Sequence, residues 1–251
     1  MSQSGTLTAG VLVIGDEILS GRTQDTNSNT IAKFLAPLGI DLKEIRVVAD
    51  VEAEIVAALN ALRARYTYVF TTGGIGPTHD DITADAVARA FGVGIDYHPE
   101  ALEMLAARFK PGEFNEMRRR MARIPAGGKL VKNRVSTAPG FEIANVFVMA
   151  GVPMIMQAML QELAPRLARG TVVHAATISA PIGEGTIAAA LAQLQHEHAT
   201  VAVGSYPAFG PQGVSVQLVV RGRDVAEVEK VAQEIEKIVR AAGAEPLRHS
   251  S

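Results

Sequence analysis

A chain of 251 residues, 48% hydrophobic and 20% charged, is long enough to bury one large apolar core and a smaller one. A formal net charge of −2 argues against general nucleic-acid binding, and the absence of cysteine removes disulfides, thiolate metal sites and cysteine nucleophiles together. Apolar runs such as Val146 to Pro153 fall far short of a bilayer span, and the Ser-, Thr- and Gly-rich opening from Met1 to Thr8 lacks the character of a secretory signal. A cytoplasmic location without a membrane partner is the expectation.

The pattern along the first two thirds is strand, helix, strand, helix. Val11 to Ile14 predicts a short apolar strand ending at Gly15-Asp16-Glu17. Ile31, Phe34, Leu35 and Leu38 fall at i, i+3, i+4 and i+7, one face of a helix stopped by Gly39. Leu42 to Val48 predicts a second strand, Ile55, Leu59 and Leu62 mark the next helix, and Val69 to Thr71 a third strand. Ala84, Val87, Ala88 and Phe91 carry helical spacing, Asn145 to Ala150 reads as a buried strand, and Pro153 to Leu163 as a closing helix. Alternation of this kind implies an α/β fold, three layers with a mostly parallel sheet covered on both faces. Ligands collect at the carboxyl ends of such strands. The turns at Gly15, Asp50, Gly73 and Gly151 all follow strands and are expected on one edge.

Residues 97 to 125 predict an inserted helical segment with two apolar faces, Leu102, Leu105 and Phe109 on one, Phe114, Met117 and Met121 on the other. Between them stand Arg118, Arg119 and Arg120, with Arg123 close behind. Such a run is either a solvated helix face or a source of one or two arginines for an anionic substrate or a partner subunit.

Near Gly170 the character changes, dividing the chain into residues 1–170 and 171–251. Thr171 to Ser179, Thr200 to Gly204 and the alternating Val214-Ser215-Val216-Gln217-Leu218 run predict strands. Thr186 to Gln195 and the Val228, Val231, Ile235, Ile238, Val239 series predict helices. This is a small α+β module. Over 171–251 there are six Lys and Arg against eight Asp and Glu, with no GxxG clamp between helices, so no nucleic-acid partner is expected.

The densest chemistry lies at residues 70 to 83. A β-prone run breaks into Gly73, Gly74 and Gly76, whose backbone can turn sharply and present N–H groups to a phosphate, helped by the Thr72 and Thr78 hydroxyls. Asp80 and Asp81 follow, and Thr83 opens the next helix. A carboxylate pair beside a phosphate repels it unless a divalent metal stands between them. Asp81 at that helix start either holds the metal and activates water or simply caps the helix, a task Thr83 could take instead. Asp16 either caps its own turn or joins Glu17 in a carboxylate cluster. None of the histidines forms a metal pair: His196 and His198, two apart, point to different faces.

Thr71-Thr72-Gly73-Gly74-x-Gly76-Pro77-Thr78-x-Asp80-Asp81-x-Thr83 resembles the signature of the molybdopterin-binding fold as carried by the competence/damage-inducible protein A (CinA-type) family. Ile14 to Gly21 with Asp25-Thr26-Asn27 is similar to the family's first loop. Asn133 and Ala138-Pro139-Gly140-Phe141 are similar to a later loop, and Gly151-Val152-Pro153 to the last. Gly183-Glu184-Gly185 and Val203 to Pro207 resemble its middle domain, similar in shape to KH modules. The resemblance spans residues 9 to 245. One departure is Met149-Ala150-Gly151-Val152-Pro153, where the family has Leu-Pro-Gly-Val-Pro.

The resemblance implies Asp50 and Asp81 as catalytic residues, a divalent metal (Mg²⁺, Mn²⁺ or Co²⁺, with K⁺ as a further candidate) held by Asp81, Asp50, Asp80 and Glu17, and a small nucleotide or pterin ligand. That ligand would be bound by Thr72, Gly73, Gly74, Gly76, Thr78, Asp16, Asn27, Thr83, Gly140 and Gly151. It also implies a homo-oligomer, dimer or trimer. Longer relatives carry an amidase domain; the chain ends at Ser251, so an amidase is expected as a separate chain and a candidate partner. Three functions follow: a metal-dependent hydrolase of a nucleoside diphosphate such as ADP-ribose, a molybdopterin-binding or adenylating protein of molybdenum cofactor biosynthesis, or a non-catalytic ligand-binding module.

Overall fold

The computed structural model describes residues 6–110, 112–210 and 213–249; residues 1–5 of the opening segment, and residues 250–251 at the end, lie outside them. The chain divides after Gly170 into two compact units.

The first unit is built on β1 (Thr8–Ile14), α1 (Asp16–Leu19), α2 (Asn27–Leu35), β2 (Asp41–Val48), α3 (Glu52–Arg65), β3 (Tyr68–Thr72) and α4 (Thr83–Phe91). There follow β4 (Ile95–Tyr97), α5 (Pro99–Arg108), α6 (Glu116–Arg119), β5 (Arg123–Pro125), β6 (Lys129–Val131), β7 (Gly140–Ile143), β8 (Val146–Met149) and α7 (Pro153–Leu163). The main sheet has the order β2-β1-β3-β8-β7-β6. Its first four strands run parallel, and β7 and β6 add antiparallel at one side.

Strand β1 shows why the sheet is covered twice. Ala9, Val11 and Val13 point into one core with Ile31 and Leu35 of α2 and Met156, Leu160 and Leu163 of α7. Leu12 and Ile14 point into the other with Ile55, Leu59 and Leu62 of α3, Val87 of α4 and Leu105 of α5. Period-two alternation thus delivers apolar side chains to both faces, and the strand reads as one continuous apolar run. Each fully buried Leu or Ile contributes about 1.5–3 kcal/mol. Helix α2 stops as its pattern predicts: a 3₁₀ turn over Ala36–Leu38 ends at Gly39, whose φ of 69° is left-handed.

The inserted segment is less helical than expected. Helix α5 ends at Arg108, α6 is one turn, and Arg123–Pro125 is a strand pairing antiparallel with β4. A bidentate ion pair from Arg123 to Asp85 of α4, at 2.8 and 2.6 Å, ties the segment to the domain.

The second unit comprises β9 (His174–Ala180), α8 (Glu184–Glu197), β10 (Val201–Gly210), β11 (Gly213–Gly222), α9 (Val225–Ala241) and β12 (Leu247–His249). Its antiparallel sheet has the order β10-β11-β9-β12. Ile187, Leu191 and Leu194 of α8 and Val231, Ile235 and Val239 of α9 share one core with Ile178, Val216, Leu218 and Val220. Asp224 caps α9 through the amides of Ala226 and Glu227. Among the described residues no helix is long and apolar enough to cross a membrane.

Candidate functional site

Because β1, β2, β3 and β8 are parallel, the segments after Ile14, Val48, Thr72 and Met149 emerge on one edge, as the sequence implies. The glycine loop after β3 is wedged in place. Gly73 and Gly74 have φ of 103° and 65°. A Cβ on Gly73 would fall on the Ile14 carbonyl oxygen, and one on Gly74 on the Thr83 hydroxyl, so both positions demand glycine. Thr83, fully buried at the start of α4, donates its hydroxyl to the Gly73 carbonyl at 3.0 Å and its amide to the Gly74 carbonyl at 3.0 Å. Both carbonyls are therefore drawn toward α4.

The loop's amides are a different matter. Gly73 donates to the Met149 carbonyl at 3.2 Å, continuing the β3–β8 ladder, so its N–H is not free for a ligand. The amides of Gly74, Ile75 and Gly76 donate to no group among the described residues. Three successive unpaired N–H groups form an anion-binding concavity.

The carboxylates sit around this loop, each with a distinct partner. Asp81 accepts from the Thr78 amide at 2.7 Å and the Thr78 hydroxyl at 2.5 Å, so these two residues close a turn on each other. Asp50 Oδ2 accepts from the Asp16 amide at 3.0 Å, fastening the segment after β2 to α1. Partial burial raises the Asp50 carboxyl above its ordinary range, and the negative charges of Asp16, Glu17 and Asp80 push the same way, against the Asp16 hydrogen bond. The nearby Thr78 side chain and its own backbone amide lower the pKa of the Asp80 carboxyl, whose side chain is 62% exposed.

Two clefts open on either side of the glycine loop. One is lined by Glu17, Asn27, Thr72, Gly73 and Gly151 and encloses about 360 Å³ of free space, part of it open to solvent. Asn27 donates to the Gly151 carbonyl at 2.7 Å, joining the first loop to the last, while its buried Oδ1 has no partner. The departure at Met149-Ala150 leaves this contact in place. The amide that proline would lack belongs here to Ala150 and meets the Met159 sulfur at 3.5 Å. The other cleft is narrow, with a cavity volume of about 20 Å³, and is lined by Gly74, Ile75, Gly76 and Asp81 together with Arg120, Met121, Arg123 and Pro139 among others.

Gly140 itself lines neither cleft, although its neighbours Pro139 and Phe141 line the second. It lies inside β7, where a Cβ would strike the Val148 carbonyl oxygen, and sheet packing accounts for it. Asn133 organises its own loop: Oδ1 accepts from the amides of Val135 and Ser136, and Nδ2 donates to the Ala138 carbonyl at 2.7 Å. The inserted segment's arginines, left open by the sequence, separate clearly in the structure, since Arg120 alone among Arg118, Arg119, Arg120 and Arg123 has neither a carboxylate nor a ring partner among the described residues.

Hard carboxylate oxygens suit Mg²⁺ or Mn²⁺ chemically. Yet among the described residues no three acidic or histidine side chains converge on one point. Asp81 is engaged by Thr78 and Asp50 by Asp16, so the expected set of Asp81, Asp50, Asp80 and Glu17 makes no cation cage by itself.

Residues 10–169 match the family described as "Probable molybdopterin binding domain", and residues 172–246 match "FAD synthase, middle domain". A protein of Archaeoglobus fulgidus is 32% identical over 229 residues, covering 91% of this chain and 96% of its own length. A CinA-like protein of Citrifermentans bemidjiense is 43% identical over 158 residues, covering 61% of this chain, which spans only 38% of that longer protein. The crystal structure of CinA from Thermoplasma acidophilum superimposes with a TM-score of 0.62 at 32% identity, over 65% of this chain and 99% of that one. The glycine loop with its flanking clefts therefore lies in a domain of known lineage: the chain belongs to the CinA-type molybdopterin-binding domain family.

Proposed function

We propose that the first unit binds a phosphorylated pterin of the molybdopterin type, with the phosphate on the glycine loop and the heterocycle in the cleft beside Asn27. One observation carries this reading: the three unpaired amides of Gly74, Ile75 and Gly76 sit between two clefts. An anion on those amides gains charge-assisted hydrogen bonds that water otherwise supplies. The buried, partnerless Oδ1 of Asn27 is an acceptor and calls for an N–H donor, which a pterin ring and its exocyclic amine provide. Membership of the molybdopterin-binding family points the same way.

A second reading, hydrolysis of a nucleoside diphosphate such as ADP-ribose, is supported by Asp50, whose proton affinity is raised first by burial and further by the charges of Asp16, Glu17 and Asp80. A general base gains from such a shift. A divalent cation in this reading would enter with the ligand, since small hard cations take few protein carboxylates and several phosphate oxygens.

Calorimetric titration with molybdopterin and with ADP-ribose, beside an assay for AMP release with Mg²⁺, Mn²⁺ or Co²⁺ and with or without K⁺, separates the two. Tight pterin binding, weakened by Asn27→Leu, is the expected result. Metal-dependent AMP release without pterin binding would overturn it in favour of the hydrolase. Binding of neither compound would sink both.

A further inference from the structure

We infer that Arg120 is the anion-clamping residue of the glycine-loop cleft, closing from the inserted segment onto a phosphate or pyrophosphate group seated on the amides of Gly74, Ile75 and Gly76. The inference rests on reading that loop as the ligand site and adds a residue to it from a different part of the chain.

Of the clustered arginines Arg118, Arg119, Arg120 and Arg123, only Arg120 is without a partner among the described residues. Arg118 lies over the Phe109 ring at 4.3 Å and donates to the Glu113 carbonyl at 2.6 Å. Arg119 faces Tyr97 and reaches Glu116 at 4.0 Å. Arg123 is held bidentately by Asp85. Arg120 has no carboxylate partner among the described residues, and its Nε is buried with no acceptor. A buried donor on a charged group without an acceptor costs free energy in the unliganded protein, which a bound anion returns.

The position of Arg120 supplies the direction. It lines the same cleft as Gly74, Gly76 and Asp81. Of the two acids of that cleft, Asp85 is paired with Arg123 and Asp81 is turned onto the Thr78 amide and hydroxyl, so neither is bonded to Arg120. A planar guanidinium sharing a cleft with a row of free amides is suited to an oxyanion with several acceptor atoms. The Arg123–Asp85 pair fixes the chain three residues on, and so sets where Arg120 stands relative to the loop.

The test is titration of the full chain with inorganic pyrophosphate and ADP-ribose by calorimetry, comparing wild type, Arg120→Gln, Arg120→Lys, the exposed control Arg119→Gln and the loop variant Gly76→Ala, with melting temperatures recorded in parallel. The expected result is affinity weakened on the order of 10- to 100-fold in Arg120→Gln, partly restored in Arg120→Lys, unchanged in Arg119→Gln, with no fall in melting temperature. Arg120→Gln binding like wild type while Gly76→Ala does not would overturn the clamp and leave the loop reading standing. A wild type that binds neither probe would overturn both. Should Arg120→Gln fail to fold, phenylglyoxal labelling of the wild type decides: pyrophosphate must shield Arg120, and undiminished labelling overturns the clamp.

Discussion

The Thr83 hydroxyl donates to the carbonyl of Gly73 ten residues earlier, and through that bond the start of α4 holds the glycine loop in its turn. Both atoms are out of water, so the bond has no substitute in solvent. Replacing Thr83 by the isosteric valine leaves the Gly73 carbonyl unpaired. Thr83→Val is expected to lose about 1–3 kcal/mol in chemical denaturation and to weaken phosphate binding more than Arg119→Gln does.

Asp50 offers a test in which removing a charge stabilises the fold. Its carboxyl is raised, so the folded state holds the proton more tightly than the unfolded one, and ionised Asp50 is a burden above the raised value. Asp50→Asn keeps an acceptor for the Asp16 amide and removes the charge. Its melting temperature is expected to exceed that of wild type at pH 7 and to converge with it as the pH falls below the ordinary carboxylate range, about 4. Calorimetric scans across that interval check this, and a variant less stable than wild type at pH 7 would refute it.

A different titration belongs to the second unit. His198, at the end of α8, is buried and clamped between Glu227 at 2.7 Å and Glu234 at 3.1 Å, both on α9. Chiefly the Glu227 bond, with help from Glu234, raises its pKa against the opposing effects of burial and Lys230. The stability from this clamp is complete below about pH 6.5, the free histidine value, and is lost as pH rises through the raised folded value. NMR titration of the His198 ring should show the elevated midpoint, and amide exchange in α9 should accelerate above it. His198→Gln should abolish that acceleration.

Gly140 provides a control for the site. Because its Cβ would meet the Val148 carbonyl, Gly140→Ala is expected to cost about 1–3 kcal/mol through overpacking while leaving the affinity of the folded protein intact. Selective loss of binding at unchanged stability would instead return Gly140 to the ligand site.

Much of this fold was legible because the central strands and their covering helices carry long periodic signals. Helix α7 starts and ends where Pro153 and Leu163 predict, and β1 to β3 follow their apolar runs. The sheet's other side was not legible: Lys129–Val131 is three residues and Gly140–Ile143 four, too short for any period, and β7 includes a glycine. Strand β5 was hidden inside a stretch whose spacing read as helix, because its pairing with β4 is tertiary. At the site, the residue types of residues 72 to 83 pointed to an anion. Which amides are free, that Gly73 is committed to Met149, and that Arg120 differs from its neighbours depend on partners far away in sequence.

The bond from Asn27 to Gly151 spans 124 positions. The cleft beside Asn27 thus has walls made at opposite ends of the domain's synthesis, and a ribosome that has released only β1 to β3 has exposed the glycine loop without the groove beside it. Closing such a distant contact comes late and slowly in folding. Ligand-binding competence should therefore appear only after β8 and the Gly151 turn have docked, which makes recovery of binding during refolding a reporter of the domain's final step.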